Sequence, residues 1–161
     1  MFDAIRDYII VFFISMLPII ELRGAIPVGI AMGMPTLNTF IVAIIGNILP
    51  VPFLLLFGKK MLEWLATWKH IGFIFEKILV RAENRSEKIG KYQFIGLMLF
   101  VGIPLPGTGV WMGSVIATLL RVRIRSSFFA LSLGVVIAGI IMSLASAGLL
   151  GVFNTIFSFG H

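Results

Sequence analysis

The chain has 161 residues, 59% hydrophobic, only 12% charged and without cysteine, and its mean hydropathy is +1.08. Soluble domains are about 25% charged, so so few charges cannot coat a water-facing globule, and the apolar content is too high for disorder. The missing cysteines rule out disulfide and thiolate-metal frameworks, and the net charge of +6 reads as a marker of the cytoplasmic face rather than of nucleic-acid binding.

A bilayer core of ~30 Å takes ~20 mostly apolar residues in one helix. The first apolar region, 8–34, does not fit a single crossing. Tyr8–Ile20 supplies 13 residues before Glu21 and Arg23, and Ile26–Met34 then carries Pro27, Gly29 and Gly33. Each limb reaches about 15–20 Å, and proline and glycine permit a turn between limbs, so the spacing predicts a re-entrant helical hairpin rather than a kinked span. Residues 37–57 follow as 21 residues without formal charge, a full transmembrane helix. Segment 59–91 holds eight Lys or Arg against four Glu. Met61, Trp64, Leu65, Trp68, Ile71, Phe75, Ile78 and Leu79 recur at helical spacing, which predicts a cytoplasmic amphipathic helix in the interface.

Region 92–120 repeats the hairpin pattern: Tyr92–Ile103, then Pro104-Leu105-Pro106-Gly107-Thr108-Gly109, then Val110–Leu120. Arg121, Arg123 and Arg125 precede a second uncharged span, 126–153. The positive-inside rule puts segment 59–91 and these arginines on one side, so region 92–120 must enter and leave on the cytoplasmic face. Both termini then fall outside. Gly29-Ile30-Ala31-Met32-Gly33 echoes Gly109-Val110-Trp111-Met112-Gly113, and the order hairpin then span occurs twice. The predicted fold is therefore an all-α integral membrane protein, a single membrane domain built as an inverted repeat of re-entrant hairpin plus transmembrane helix, with a cytoplasmic amphipathic helix. Inverted repeats with broken helices are typical of secondary transporters.

Glu21 and Arg23 lie near the tip of the first hairpin, where a charge costs roughly 2.5–3.5 kcal/mol on insertion scales. Glu21 is a candidate proton carrier, and Arg23 its partner or a clamp for an anionic headgroup. The bland reading is an internal pair that fastens the hairpin. At the second tip, Pro104, Pro106, Gly107, Thr108 and Gly109 offer backbone amides and a hydroxyl to a polar headgroup, or simply form a turn. Asn47 precedes Pro50 and Pro52, which cannot donate to the carbonyls of Gly46 and Ile48; the exposed groups line a cavity, coordinate a cation or mark a packing kink. Arg121, Arg123 and Arg125 set topology or bind headgroup phosphate. The rows Gly139, Ser143, Ala147, Gly151 and Ala130, Gly134, Ala138 read as helix-packing surfaces. No catalytic set, metal cluster or cofactor motif is visible, so an enzyme is not expected.

With these residues in view, the chain resembles the small multidrug export protein family of prokaryotic membrane proteins. The resemblance rests on Glu21-Leu22-Arg23-Gly24-Ala25-Ile26-Pro27, on Gly46-Asn47-Ile48-Leu49-Pro50-Val51-Pro52, and on Pro104-Leu105-Pro106-Gly107-Thr108-Gly109 followed by Gly113. More distantly the arrangement is similar to the DedA/VTT superfamily, whose paired hairpins are associated with proton-linked movement of lipid carriers. That pattern expects arginines around the proline of hairpin two, where Phe100–Pro104 has none. The resemblance implies a multi-pass protein of the prokaryotic inner membrane that moves amphipathic or lipid-like molecules, with membrane lipids and H⁺ as partners and a homodimer as a candidate assembly. Two alternatives remain: a DedA-like flippase for a phosphate-bearing lipid carrier, and a non-transporting membrane scaffold.

Overall fold

The computed structural model describes residues 2–66, 90–105 and 108–158. All regular structure among them is helical: α1 (Phe2–Met16), α2 (Glu21–Ala31), α3 (Thr36–Ile48), α4 (Val51–Ala66), α5 (Gly90–Gly102), α6 (Val110–Leu119) and α7 (Ile124–Ser158). Two helical runs, Thr36–Gly58 and Ile124–Leu149, are long and apolar enough to cross a bilayer. They match the two expected spans to within a few residues. The first is interrupted at Leu49–Pro50, because Pro50 and Pro52 have no N–H to continue the ladder; Leu49 N–H still reaches the Ile45 carbonyl, and Leu54 N–H restarts from Pro50. The four hairpin helices have 15, 11, 13 and 10 residues, or about 15–22 Å each. Helix α1 begins at Phe2, ahead of the expected hairpin start at residue 8. The amphipathic stretch expected within 59–91 lies almost wholly outside the described residues; α4 runs into its first part, as far as Ala66.

The chain divides into two compact units, Met1–Leu49 with Val136–His161, and Pro50–Val135. In the first, α1, α2 and α3 pack pairwise. Asn38 Nδ2 donates to Tyr8 Oη at 2.8 Å, and Gly46 lies against Phe12 and Ser15, so α1 and α3 run parallel, with α2 returning between them. In the second, α6 packs on both α4 and α5. The opening of α7 closes this group, with Gly134 against Met98 and Val101.

The outer surface is apolar, unlike that of a water-soluble protein. The interiors mix aliphatic side chains such as Leu22, Ile26 and Leu131 with small and polar ones: Ser15, Ala25, Thr39, Ala43, Asn47, Ser114 and Ala130 are buried. Large apolar side chains face outward, Phe13 at 60% and Leu144 at 70% exposure among them. In water that surface would be an aggregation liability; in lipid it costs nothing, and small interior residues let helices approach closely. Of the small-residue rows, Ala130, Gly134, Ala138 and Gly139 are buried, while Ala147 is exposed.

The two helix-to-span turns share one backbone pattern. After α2, Met32 N–H bonds to Val28, Gly33 to Ile30, Met34 to Gly29 and Thr39 to Pro35. After α6, Leu120 bonds to Ile116, Arg121 to Thr118, Val122 to Ala117 and Ser127 to Arg123, each pair 88 positions further on. Gly33 and Arg121 both take the left-handed conformation, at φ 82° and 51°. The glycine echo in the sequence, offset by 80, is out of step with this. It joins the end of α2 to the start of α6, because the second turn uses arginine where the first uses glycine.

Candidate functional site

The first unit gathers its polar groups at one end. Gly29 abuts Thr39, a Cβ there meeting Thr39 Cγ2 at 2.5 Å. From that level α2 runs back eight residues to Glu21, and α3 runs forward eight residues to Asn47. Eight helical residues are about 12 Å, and the two helices are antiparallel, so Glu21 and Asn47 reach the same level beside the end of α1. Glu21 is 4% exposed, and Asn47 and Ser15 are fully buried.

Glu21 opens α2 with φ 51°, a left-handed backbone that costs a residue with a Cβ about 1–2 kcal/mol. Strain of this kind concentrates where function over-determines the geometry. Arg23 is half-buried on the same turn, within electrostatic reach of Glu21. Two residues apart in a regular helix they would diverge; the irregular first residue of α2 relaxes that limit. Pro27 lies inside α2 and has no N–H to give to the helix ladder.

Neither the nitrogen nor the oxygen of the Asn47 amide has a hydrogen-bond partner among the described residues. A buried polar group left unmade costs about 1–3 kcal/mol. Ser15 behaves differently, its hydroxyl donating to the Phe12 carbonyl at 2.7 Å. Ser15 gave no signal in the sequence, being one serine in an apolar run. Its position shows only once α1 is docked on Gly46.

At the second tip, Pro104 and Leu105 lead into residues 106 and 107, so Pro106 and Gly107 lie outside the described residues. Thr108 Oγ1 sits 2.9 Å from the Ile103 carbonyl and 2.8 Å from that of Leu105, closing the turn on itself. Gly109 caps α6 in an extended conformation. Arg121, Arg123 and Arg125 are exposed on the α6–α7 connection and the first residues of α7. These residues belong to the second unit and can be compared with the first by position along the chain.

That comparison is informative. At the 88-residue offset Glu21 corresponds to Gly109, Arg23 to Trp111 and Asn47 to Val135. The polar chemistry of the first hairpin has no copy in the second.

No curated protein and no solved structure matches the chain at a significant level. A family model does, that of the small multi-drug export proteins, over residues 21–141, a stretch that begins at Glu21 and takes in Asn47, the second tip and all three arginines. With its apolar helices and apolar outer surface, the chain is a helical membrane protein and belongs to the small multi-drug export protein family.

Proposed function

We propose that this protein is a proton-linked secondary transporter for amphipathic or lipid-like molecules, with Glu21 as the group that takes up and releases the proton. The observation that carries this reading is Glu21 itself: a carboxylate buried in an apolar hairpin, held on a strained backbone and within electrostatic reach of Arg23. Intramembrane ionisable residues mark pathways and relays. Replacement of the Arg23 partnership by a proton is the simplest way to make such a carboxylate switch charge.

In this reading α1–α2 and α5–α6 are re-entrant hairpins, since each helix is shorter than the hydrocarbon core. The hairpins enter from opposite faces. The matching turns support this: the α6–α7 turn carries Arg121, Arg123 and Arg125, where the corresponding residues of the α2–α3 turn are Gly33, Pro35 and Leu37. Two inverted copies decorated by the positive-inside rule acquire this asymmetry. The arginines face the cytoplasm and the termini face outward.

The test is movement of a lipophilic cationic dye in proteoliposomes under an imposed pH gradient. The parent moves the dye in proportion to the gradient, and Glu21→Gln abolishes that dependence. Equal gradient-driven movement by Glu21→Gln removes Glu21 from coupling.

A further inference from the structure

We propose that the α6–α7 turn binds an anionic phospholipid, with Arg121, Arg123 and Arg125 holding the headgroup phosphate and the outer face of α7 carrying an acyl chain. The first observation is a change of polarity along one surface. All three arginines are exposed, and they stand at the start of the apolar run Ile124–Leu149, the level of lipid headgroups. Arg125, Phe129 and Leu133 follow at four-residue steps, which puts them on one helical face. Phe129 and Leu133 are 60% and 46% exposed. A guanidinium above an exposed apolar strip complements a phospholipid from phosphate to chain.

The second observation is charge. No Asp or Glu follows Glu87 in the sequence, and the first turn of α7 holds no acidic residue. Three like charges within five residues repel one another, and Arg125 lies in the first turn of α7, where the helix dipole disfavours cations. A phosphate among them relieves both effects, and forked guanidinium donors match its oxygens. The third observation is an internal comparison. The α2–α3 turn makes the same main-chain bonds with Gly33, Pro35 and Leu37 at the corresponding positions, so closing the turn requires none of the guanidiniums. Arg121 nonetheless takes a left-handed φ of 51°, a conformation that suits glycine. Topology does not explain that placement, because the positive-inside rule counts Lys and Arg alike and at any backbone position near the span. An arginine held where glycine is more stable is there for its side chain.

The purified full-length protein in a neutral detergent is melted across rising mole fractions of phosphatidylglycerol, and in parallel with phosphatidylcholine of the same chains or with inorganic phosphate. Detergent takes membrane orientation out of the readout, so any role of the arginines in topology does not enter. A ligand that binds only the folded state raises the melting midpoint in a saturable way. The expected result is a saturable rise with phosphatidylglycerol alone, absent when all three arginines are replaced by Gln. Arg125→Gln raises the half-effect mole fraction about fivefold, the share of one arginine at an anionic surface. Should the triple variant fail to fold, Arg125→Gln carries the test. Arg121→Gly melts above the parent without lipid and gains less from it. Equal rises with the two lipids overturn the proposal, the strip then being solvated by any lipid. A rise undiminished in the triple variant or in Arg125→Gln overturns it equally, the lipid then sitting elsewhere. If inorganic phosphate alone reproduces the rise, a free anion occupies the turn and the lipid proposal fails. The site is independent of the proton-linked reading of Glu21: a protein indifferent to phosphatidylglycerol that still loses gradient-driven dye movement on Glu21→Gln overturns this proposal alone.

Discussion

Gly46 and Gly134 do the same work in different helices. A Cβ on Gly46 would lie 2.6 Å from the Phe12 carbonyl oxygen, and one on Gly134 would lie 2.7 Å from the Met98 carbonyl oxygen. In each case the first arm of a hairpin presses its backbone onto the span that follows that hairpin. Side chains crowd both positions too, Ser15 at Gly46 and Val101 at Gly134, but moving them would not relieve the main-chain clash.

Gly46→Ala and Gly134→Ala should therefore each lower stability by about 1–3 kcal/mol, the usual cost of overpacking. Gly96 is the control, since a Cβ there meets nothing within 4 Å. Gly96→Ala should be neutral or gain up to ~1 kcal/mol from helix propensity. Thermal melting in detergent ranks the three, and a Gly46→Ala protein as stable as Gly96→Ala contradicts the packing described.

Glu21 allows stability and function to be separated. Its left-handed φ suits glycine better than any residue with a Cβ. Glu21→Gly should consequently melt above Glu21→Ala, by an amount corresponding to about 1 kcal/mol. Both should lose gradient-driven dye movement. If Glu21→Ala is the more stable of the two, the strain assigned to this position is wrong.

The proposed opposition of the two hairpins can be tested by labelling. The chain has no cysteine of its own, so single cysteines replacing Arg85, Arg123 and Ser158 report cleanly with an impermeant reagent on intact cells. Position 158 should label from outside, and positions 85 and 123 only after the membrane is opened. Outside labelling at 123 without labelling at 85 would mean that α5–α6 crosses.

The charge asymmetry of the turns makes a further prediction. Neutralising Arg121, Arg123 and Arg125 together to Gln should leave the turn itself intact, because main-chain hydrogen bonds close it. Orientation should become mixed, read as partial outside labelling at position 85. Uniform orientation would show that segment 59–91 alone sets topology.

The spans and the Glu21–Arg23 pair were legible in the sequence because lipid makes any charge conspicuous: long uncharged runs and two misplaced charges need no tertiary information. Asn47 and its prolines were legible for a similar reason, as covalent gaps in a hydrogen-bond ladder. The register of the repeat was not. Matching Gly29–Gly33 to Gly109–Gly113 assumes that like residues occupy like places, yet the left-handed residue is Gly33 in one turn and Arg121 in the other. Backbone conformation recurred where residue identity did not. Ser15 escaped notice because a serine that bonds back to its own helix looks the same in sequence whether it is buried or not.

The unit that contains Glu21 and Asn47 is assembled from Met1–Leu49 and Val136–His161, two stretches separated along the chain by the whole of the other unit. Its opening three helices must wait, inserted but uncovered, while the entire second unit is synthesised. A chain released early, at any point before residue 136, would carry every candidate coupling residue and still be unable to complete the unit around them. Premature termination should therefore yield an incomplete unit, a target for membrane proteases.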